Sequence, residues 1–406
     1  MAAAPLLACN LAALIRVLLT GTEHAGGLAA LRALRAAGFG PWAAVTSADD
    51  DFGARSRAAS GVIRAPDARL DPSGFAHAVA EGAARVSARV VLPGTESALL
   101  TLAARRELFA PDVAVGVCSR SVTAAATDKV VALAVAARAG IDVLACPVLG
   151  AEDPVDTAGV RFPAAVKPLR SELPVDGELR RFDATRADDR AELLRALAAL
   201  PDGVGIVQPY VEGHLVTVDG VAWEGAVVAS IQKVGTRTWP TDCGPVSYAK
   251  TIPPDPELAE QARALIARLG WSGVFNLQFI EGREGRFLID VNPRFYTSLG
   301  LAVAAGVNLP AIWVEALLGG RPKSPRYRPG VRFRSEDDLR SLAHALVAGG
   351  RRSALAGLVP RRRTTHAVVS LRDPRPSLVL LRRGARWASR RRRARPQAGA
   401  PSRAKP

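Results

Sequence analysis

The chain has 406 residues, 49% hydrophobic and 23% charged, with 36 Gly and 29 Pro. That is too long for one small core, too apolar for a disordered chain, and predicts two or three packed domains; no apolar run reaches the ~20 residues of a membrane span. The formal charge of +16 lies wholly in residues 351–406, which hold 17 basic residues and one acid, Asp373. The body is therefore neutral, and charge excludes nothing about what it binds.

Residues 1–13 are apolar and contain Leu6-Leu7-Ala8-Cys9, which faintly resembles a lipoprotein cleavage site. No cation precedes it and the apolar stretch is short, so an N-terminal extension is expected rather than an export leader. The four cysteines (Cys9, Cys118, Cys146, Cys243) show no CxxC spacing, which fits neither a zinc site nor a disulfide framework and suits a cytoplasmic protein.

Residues 16–20 read as a buried strand, followed by a turn through Gly21, Gly26 and Gly27 and a helix at 28–37. Strands at 43–46, 90–93 and 113–117 then alternate with helices at 75–85 and 97–105. That alternation predicts an α/β, doubly wound parallel sheet over 14–120. The Gly21–Gly27 stretch is not GxGxxG, and Glu23 would sit against any pyrophosphate; a plain strand-to-helix turn is expected in place of an NAD site.

From 121 to 320 the pattern becomes α+β, with a helix at 128–138 and short strands joined by tight turns. One turn is expected at Val218-Asp219-Gly220 and another within 281–285, with helices at 188–199, 255–269 and 298–318. A helical segment at 321–350 and a basic tail from 351 onward complete the chain, with 390–395 expected as solvated.

The chemistry concentrates between Gly273 and Arg294. Pairing Ile280 with Arg286 sets Gln278 opposite Leu288 and Asn276 opposite Asp290. Phe275, Leu277 and Phe279 then share an apolar face, as do Phe287, Ile289 and Val291. The other face gathers Asn276, Gln278, Asp290 and Asn292. Oxygen donors on one sheet face suit Mg²⁺, which takes one or two carboxylates plus substrate phosphates; the alternative is an ordinary solvent face. Arg294, beyond Pro293, favours the former, because a cation beside such a cluster fits a polyphosphate. Upstream, Thr127 reads as a helix N-cap and places Lys129 in the first turn, where a cation opposes the helix dipole unless a phosphate sits there. Lys167 ends a strand that Pro168 closes.

In order, Asp128-Lys129, Val166-Lys167-Pro168, Val207-Gln208-Pro209-Tyr210-Val211-Glu212-Gly213, Asn276-Leu277-Gln278-Phe279 and Ile289-Asp290-Val291-Asn292-Pro293-Arg294 resemble the ATP-grasp superfamily of carboxylate ligases. The branch is the carbamoyl-phosphate-synthase-like and biotin-carboxylase-like one. The resemblance covers 120–320, and 14–120 is similar to the domain that precedes the ATP-grasp core. It implies that Lys129 and Lys167 hold ATP phosphates and that a hinge over Gln208, Tyr210 and Val211 meets the adenine edge, with Glu212 near the nucleotide. It further implies that Gln278, Asp290 and Asn292 bind Mg²⁺ or Mn²⁺, that Lys167 is catalytic, and that Arg294 faces the transferred phosphate or the substrate carboxylate. Two departures stand out: no glycine follows Lys167 until Gly177, where the family has a glycine-rich loop, and Asp290 replaces a common Glu.

The implied reaction is ATP-dependent activation of a small-molecule carboxylate as an acyl-phosphate, attacked by an amine. No Ser/His/Asp or Cys/His set is evident. Candidate substrate residues are Glu96, where a strand gives way to a helix, and Arg237, a carboxylate clamp in a loop at 233–247; residues 296–300 are expected in the same pocket. Other readings are a non-catalytic ATP-binding regulator, or a protein acting through its basic tail on an anionic membrane surface, an acidic partner or nucleic acid. A solvated tail without a partner is the plainer account of 351–406.

Overall fold

The computed structural model describes residues 14–393 except 153–158, 170–171, 176–177, 242, 324, 349–354, 356 and 360. The expected N-terminal extension, part of the loop after Lys167 and residues 394–406 lie outside the described residues.

Strands β1 (Arg16–Leu19), β2 (Gly40–Val45), β3 (Gly61–Arg64), β4 (Val90–Leu92) and β5 (Ala114–Val115) form a sheet in the order β3-β2-β1-β4-β5, every pair parallel. Helices α1 (Ala25–Ala36), α2 (Phe52–Arg55), α3 (Pro72–Arg85) and α4 (Glu96–Ala104) lie in the connections. Val17, Leu18, Leu19, Val90, Val91 and Leu92 are all fully buried, the mark of a sheet covered on both faces. The expected doubly wound sheet is present. It also includes β3, an edge strand in which only Ile63 is buried, so its sequence carries little periodic signal.

Strand order reverses between β1 and β4, which brings the turns after both strands together. A Cβ on Gly21, whose φ is +73°, would lie 2.9 Å from the Gly94 carbonyl carbon, so only glycine allows this approach. Gly94 N donates to Thr20 Oγ1 at 3.0 Å across the same gap. The crevice of an open α/β sheet opens here.

Helices α5 (Arg120–Thr127) and α6 (Lys129–Arg138) follow, broken at Asp128. Thr127 is not the N-cap expected of it: its hydroxyl donates back to Thr123 O at 2.9 Å, inside α5. Asp128 caps α6 by accepting from Val131 N, since a carboxylate serves a helix start better than a back-bonded threonine does. Next come β6 (Val148–Gly150), β7 (Ala164–Pro168), the hairpin β8 (Glu172–Val175) and β9 (Glu178–Arg181), β10 (Thr185–Ala187), helix α7 (Arg190–Ala198) and β11 (Val204–Pro209). An antiparallel sheet in the order β10-β7-β11-β6 packs on Leu193 and Leu197 of α7. The β8–β9 hairpin occupies the glycine-poor stretch after Lys167.

The largest sheet runs β16 (Gly285–Asn292), β15 (Gly273–Gly282), β12 (Gly213–Trp223), β13 (Ala226–Thr238), β14 (Val246–Thr251), β17 (Arg332–Arg334) and β18 (Thr364–His366). Helix α8 (Pro256–Leu269) lies between β14 and β15 in the chain. The turn expected at Val218-Asp219-Gly220 is instead mid-strand β12; the chain reverses at Glu224 (φ 49°) and Gly225 (φ 78°), two left-handed residues of a tight hairpin.

The β15–β16 hairpin also differs from its expected register. Gly282 faces Gly285, leaving a two-residue turn, so Glu281 pairs with Arg286 and Ile280 with Phe287. A bulge then leaves Ile289 without a partner and sets Gln278 opposite Asp290 and Asn276 opposite Asn292. One extra residue reverses face parity. Leu288 and Val291 therefore enter the core, while Phe287 and Ile289, expected there with Val291, are only half-buried.

The single helix expected at 298–318 is two, α9 (Leu299–Ala305) and α10 (Leu309–Leu317), bent by 92°. Asn308 caps α10 by accepting from Ala311 N, and Pro310 sits in its first turn, which is a helix-start signal inside the apolar run. No single helix among the described residues is long and apolar enough to cross a membrane; this bent pair has the composition, but Leu299, Leu309 and Val314 are core.

Strand β17 (Arg332–Arg334), helix α11 (Asp338–Val347), strand β18 (Thr364–His366) and helix α12 (Pro376–Arg393) complete the chain. The tail expected from 351 is folded over 361–386. β18 extends the large sheet in parallel with β17, and α12 buries Val379. Asp373 accepts from Arg32 Nε at 2.9 Å, Ser56 Oγ at 2.6 Å and Arg57 N at 3.0 Å. Arg382 and Arg386 pair with Asp49 and Asp50, and Arg383 lies 4.5 Å above the Phe52 ring. The segment docks on the first domain through the partly buried Asp373 contacts and Val379, with the exposed arginine pairs at its edge.

Candidate functional site

A cleft of about 480 Å³ opens between the β7–β11 sheet and the large sheet. Lys129, the first residue of α6, reaches Pro168 O at 3.5 Å, and Lys167 on β7 donates to Ile289 O at 3.0 Å. Gln208 on β11 is 1% exposed, and neither polar atom of its amide has a hydrogen-bond partner among the described residues. Facing these, Asp290 accepts from Asn292 Nδ2 at 2.9 Å through Oδ2, while its buried Oδ1 has no partner among the described residues. Arg294 donates to Asn292 Oδ1 at 3.1 Å and to Phe295 O at 3.0 Å.

The charges tune one another. Burial by itself would raise the Asp290 carboxyl, but Lys129, Lys167, the Asn292 amide and Arg294 outweigh it and hold the group below the usual carboxylate range. Burial pulls the Lys167 ammonium down to about 8; Asp290 opposes that pull, and the like charge of Lys129 adds to it. Lys129, Lys167 and Arg294 thus form a cationic cluster around the ionised Asp290 carboxylate.

Beneath it lies a buried network hidden by the expected turn at Val218-Asp219-Gly220. Asp219 is fully buried and forms an ion pair with Lys233, which is 1% exposed and lies 4.9 Å from the Tyr296 ring. Asp219 Oδ1 accepts from Asn276 Nδ2 at 2.5 Å and from Thr217 Oγ1 at 3.1 Å. Asn276 Oδ1 in turn accepts from Gln278 Nε2 at 2.9 Å. Asn276 is therefore a strut between Asp219 and the cluster. The alternation Thr217-x-Asp219, placed across from Asn276 and Gln278, was the signal available.

Of the residues proposed from sequence, Lys129, Lys167, Gln208, Tyr210, Val211, Gln278, Asp290, Asn292 and Arg294 line this one cleft, as do Tyr296, Thr297 and Ser298. Glu212 is not among its lining residues, and Glu96 belongs to a separate cavity. Arg237 lines the cleft, but its guanidinium is bidentate on buried Asp338 at 2.7 and 2.8 Å and lies 4.2 Å from the Tyr248 ring. The expected substrate clamp is a structural ion pair; the stretch expected as a loop from 233 is β13 as far as Thr238. Among the described residues no group of three or more His, Cys, Asp or Glu is placed to hold a metal. An ion here would rest on Asp290, amide oxygens and oxygens of its ligand, which is the donor mixture Mg²⁺ favours.

The family model described as "ATP-grasp in the biosynthetic pathway with Ter operon" matches residues 204–339. No curated protein matches the chain. Among solved structures, biotin carboxylase from Campylobacter jejuni is 16% identical, with a TM-score of 0.59 over 78% of this chain and 74% of that one. L-amino acid ligase from Bacillus licheniformis is 13% identical, with a TM-score of 0.60 over 78% of each chain. N5-carboxyaminoimidazole synthetase from Staphylococcus aureus is 13% identical, with a TM-score of 0.57 over 77% and 80%. At these identities the likeness is one of fold, that of the ATP-grasp enzymes, and the family model matches residues 204–339, about a third of the chain.

Proposed function

We propose that the chain is an ATP- and Mg²⁺-dependent ligase that activates a carboxylate as an acyl-phosphate for attack by an amine. The observation that carries this reading is Asp290: an ionised carboxylate with one unpartnered buried oxygen, faced by Lys129, Lys167 and Arg294 in one cleft. Lys129 and Lys167 would hold the nucleotide phosphates, and the unpartnered Gln208 amide with the Tyr210–Val211 backbone would meet the base. Asp290, Gln278 and Asn292 would hold the metal, which when bound neutralises phosphate charge. The similar folds include an amino acid ligase and a synthetase, which supports the same reaction class.

In the chemical step the substrate carboxylate oxygen attacks the γ-phosphorus and the bond to the β-bridging oxygen breaks, releasing ADP. The amine then attacks the acyl carbon, phosphate leaves, and a C–N bond forms with loss of the amine proton. Lys167 and Arg294 offset the charge on the transferred group. The test is ADP release from Mg–ATP across a panel of carboxylate and amine pairs. Lys167→Ala and Asp290→Ala should each lower turnover at least a hundredfold with the fold intact; full activity in either removes the site assignment. Nucleotide binding with no turnover for any pair would favour a non-catalytic regulator.

A further inference from the structure

A second cavity, of about 1020 Å³, opens at the crevice of the parallel sheet and shares Arg294, Tyr296 and Thr297 with the nucleotide cleft. Its walls carry the guanidiniums of Arg69, Arg105, Arg120 and Arg294 against one carboxylate, Glu96. In a body whose net charge is zero, these walls carry more guanidinium than carboxylate charge even with Arg69 taken up by Asp67. Three helices also begin on these walls: α3 with Pro72 and Ser73, α4 with Glu96 and Ser97, and α5 with Arg120. Their positive dipole ends add to the guanidinium field.

The four arginines are not equally available. Arg69 is held by Asp67 at 2.7 Å, and Arg294 belongs to the Asn292 cluster. Arg105 is 54% exposed, with Glu107 a loose 3.9 Å away, and Arg120, at the start of α5, is exposed. Like charges gathered around a cavity repel until an anion fills it, and guanidinium forks match carboxylate and phosphate oxygens in pairs. The volume reaches the upper end of small-molecule pockets, about 300–1000 Å³, well beyond the needs of a free amino acid.

We propose that this cavity binds the carboxylate substrate, and that the substrate is a polyanion: its reacting carboxylate lies at Arg294, and phosphate or further carboxylate groups reach Arg105 and Arg120. The inference rests on the ligase reading and names its substrate class. Arg294 is the only guanidinium on both walls, so a carboxylate held there faces the nucleotide phosphates, while the remote anionic groups set orientation.

The test is calorimetric titration of the full chain with inorganic pyrophosphate, citrate and glycine. Lys167→Ala serves as background, so that the nucleotide phosphate site contributes little. Pyrophosphate and citrate should bind, glycine should not, and Arg105→Ala with Arg120→Ala should weaken both anions at least tenfold. Thermal melts establish that the variants fold, as both side chains are exposed. A non-hydrolysable ATP analogue with Mg²⁺ should behave oppositely, binding the two arginine variants and failing with Lys167→Ala. Anion binding that is absent, or indifferent to Arg105 and Arg120, overturns the inference. Glycine binding as tightly as citrate also overturns it. Loss of analogue binding from the wild-type chain, with arginine-dependent anion binding intact, overturns the ligase reading and leaves the anion site standing.

Discussion

Lys167 Nζ donates at 3.0 Å to the carbonyl oxygen of Ile289, the residue that the β16 bulge leaves without a partner on β15. The bulge does two things at once: it supplies a carbonyl on which the lysine rests across the cleft, and it turns Asp290 to face Gln278. An ammonium held by one neutral carbonyl and drawn down to about 8 by burial is poised to accept an anion.

Nucleotide affinity should therefore depend on pH through Lys167. In the free protein its ammonium is lost as pH rises through about 8, and a bound phosphate restores the proton by raising the pKa. Affinity should fall by up to about tenfold per pH unit above that value. Calorimetry in buffers of different ionisation enthalpy should show proton uptake on binding. Lys167→Met should abolish the uptake, and uptake that persists in that variant would assign the proton elsewhere.

The Asp219–Lys233 pair should be expensive to break. Both side chains are essentially inaccessible, so Lys233→Ala leaves an uncompensated buried carboxylate, at a cost of about 3–5 kcal/mol. The double change Asp219→Leu with Lys233→Met removes both charges and should lose less. Denaturant unfolding compares the two; equal losses would show that packing, not charge, dominates.

Asp51 should make stability fall with rising pH. Burial, reinforced by Glu23, raises its carboxyl from 3.8 to about 7 although Thr22 and Ala54 donate to it. A folded pKa above the unfolded one means that its stabilising contribution is complete below about pH 4 and is lost as pH rises through about 7. Asp51→Asn keeps a capping oxygen and should remove this decline, with a gain at pH 8 of at most about 4 kcal/mol. Parallel stability–pH curves for the variant and the wild type would contradict the assignment.

The C-terminal segment should detach on loss of one carboxylate. Asp373 is the only acid of residues 351–406 and takes donors from Arg32, Ser56 and Arg57. Asp373→Ala should cost about 1.5–3 kcal/mol, the scale of a hydrogen bond to a charged group, and expose α12 to limited proteolysis. The pairs of Arg382 and Arg386 with Asp49 and Asp50 are well exposed and contribute little on their own. Unchanged proteolysis in the variant would show that packing of Val379 suffices.

Local pattern was enough for the parallel sheet and for the residue types of the site. The runs at 16–20 and 90–93 are continuous because both faces of those strands are covered, and Lys129, Lys167 and Asp290 with its neighbours stand at the ends or on one face of readable elements. What the tertiary structure decided are contacts that no short window contains. A single bulge at Ile289 reverses side-chain parity, and neither residue type nor spacing announces it. Lys233 and Asp219 meet across neighbouring strands, Arg237 is taken up by Asp338 at 101 residues' separation, and Asp373 by Arg32 at 341. A charged side chain looks alike in sequence whether it faces solvent, a ligand or a distant counter-ion. Only the approach of the other chain segment settles its role, because the pairing energy depends on distance and desolvation rather than on neighbours along the chain.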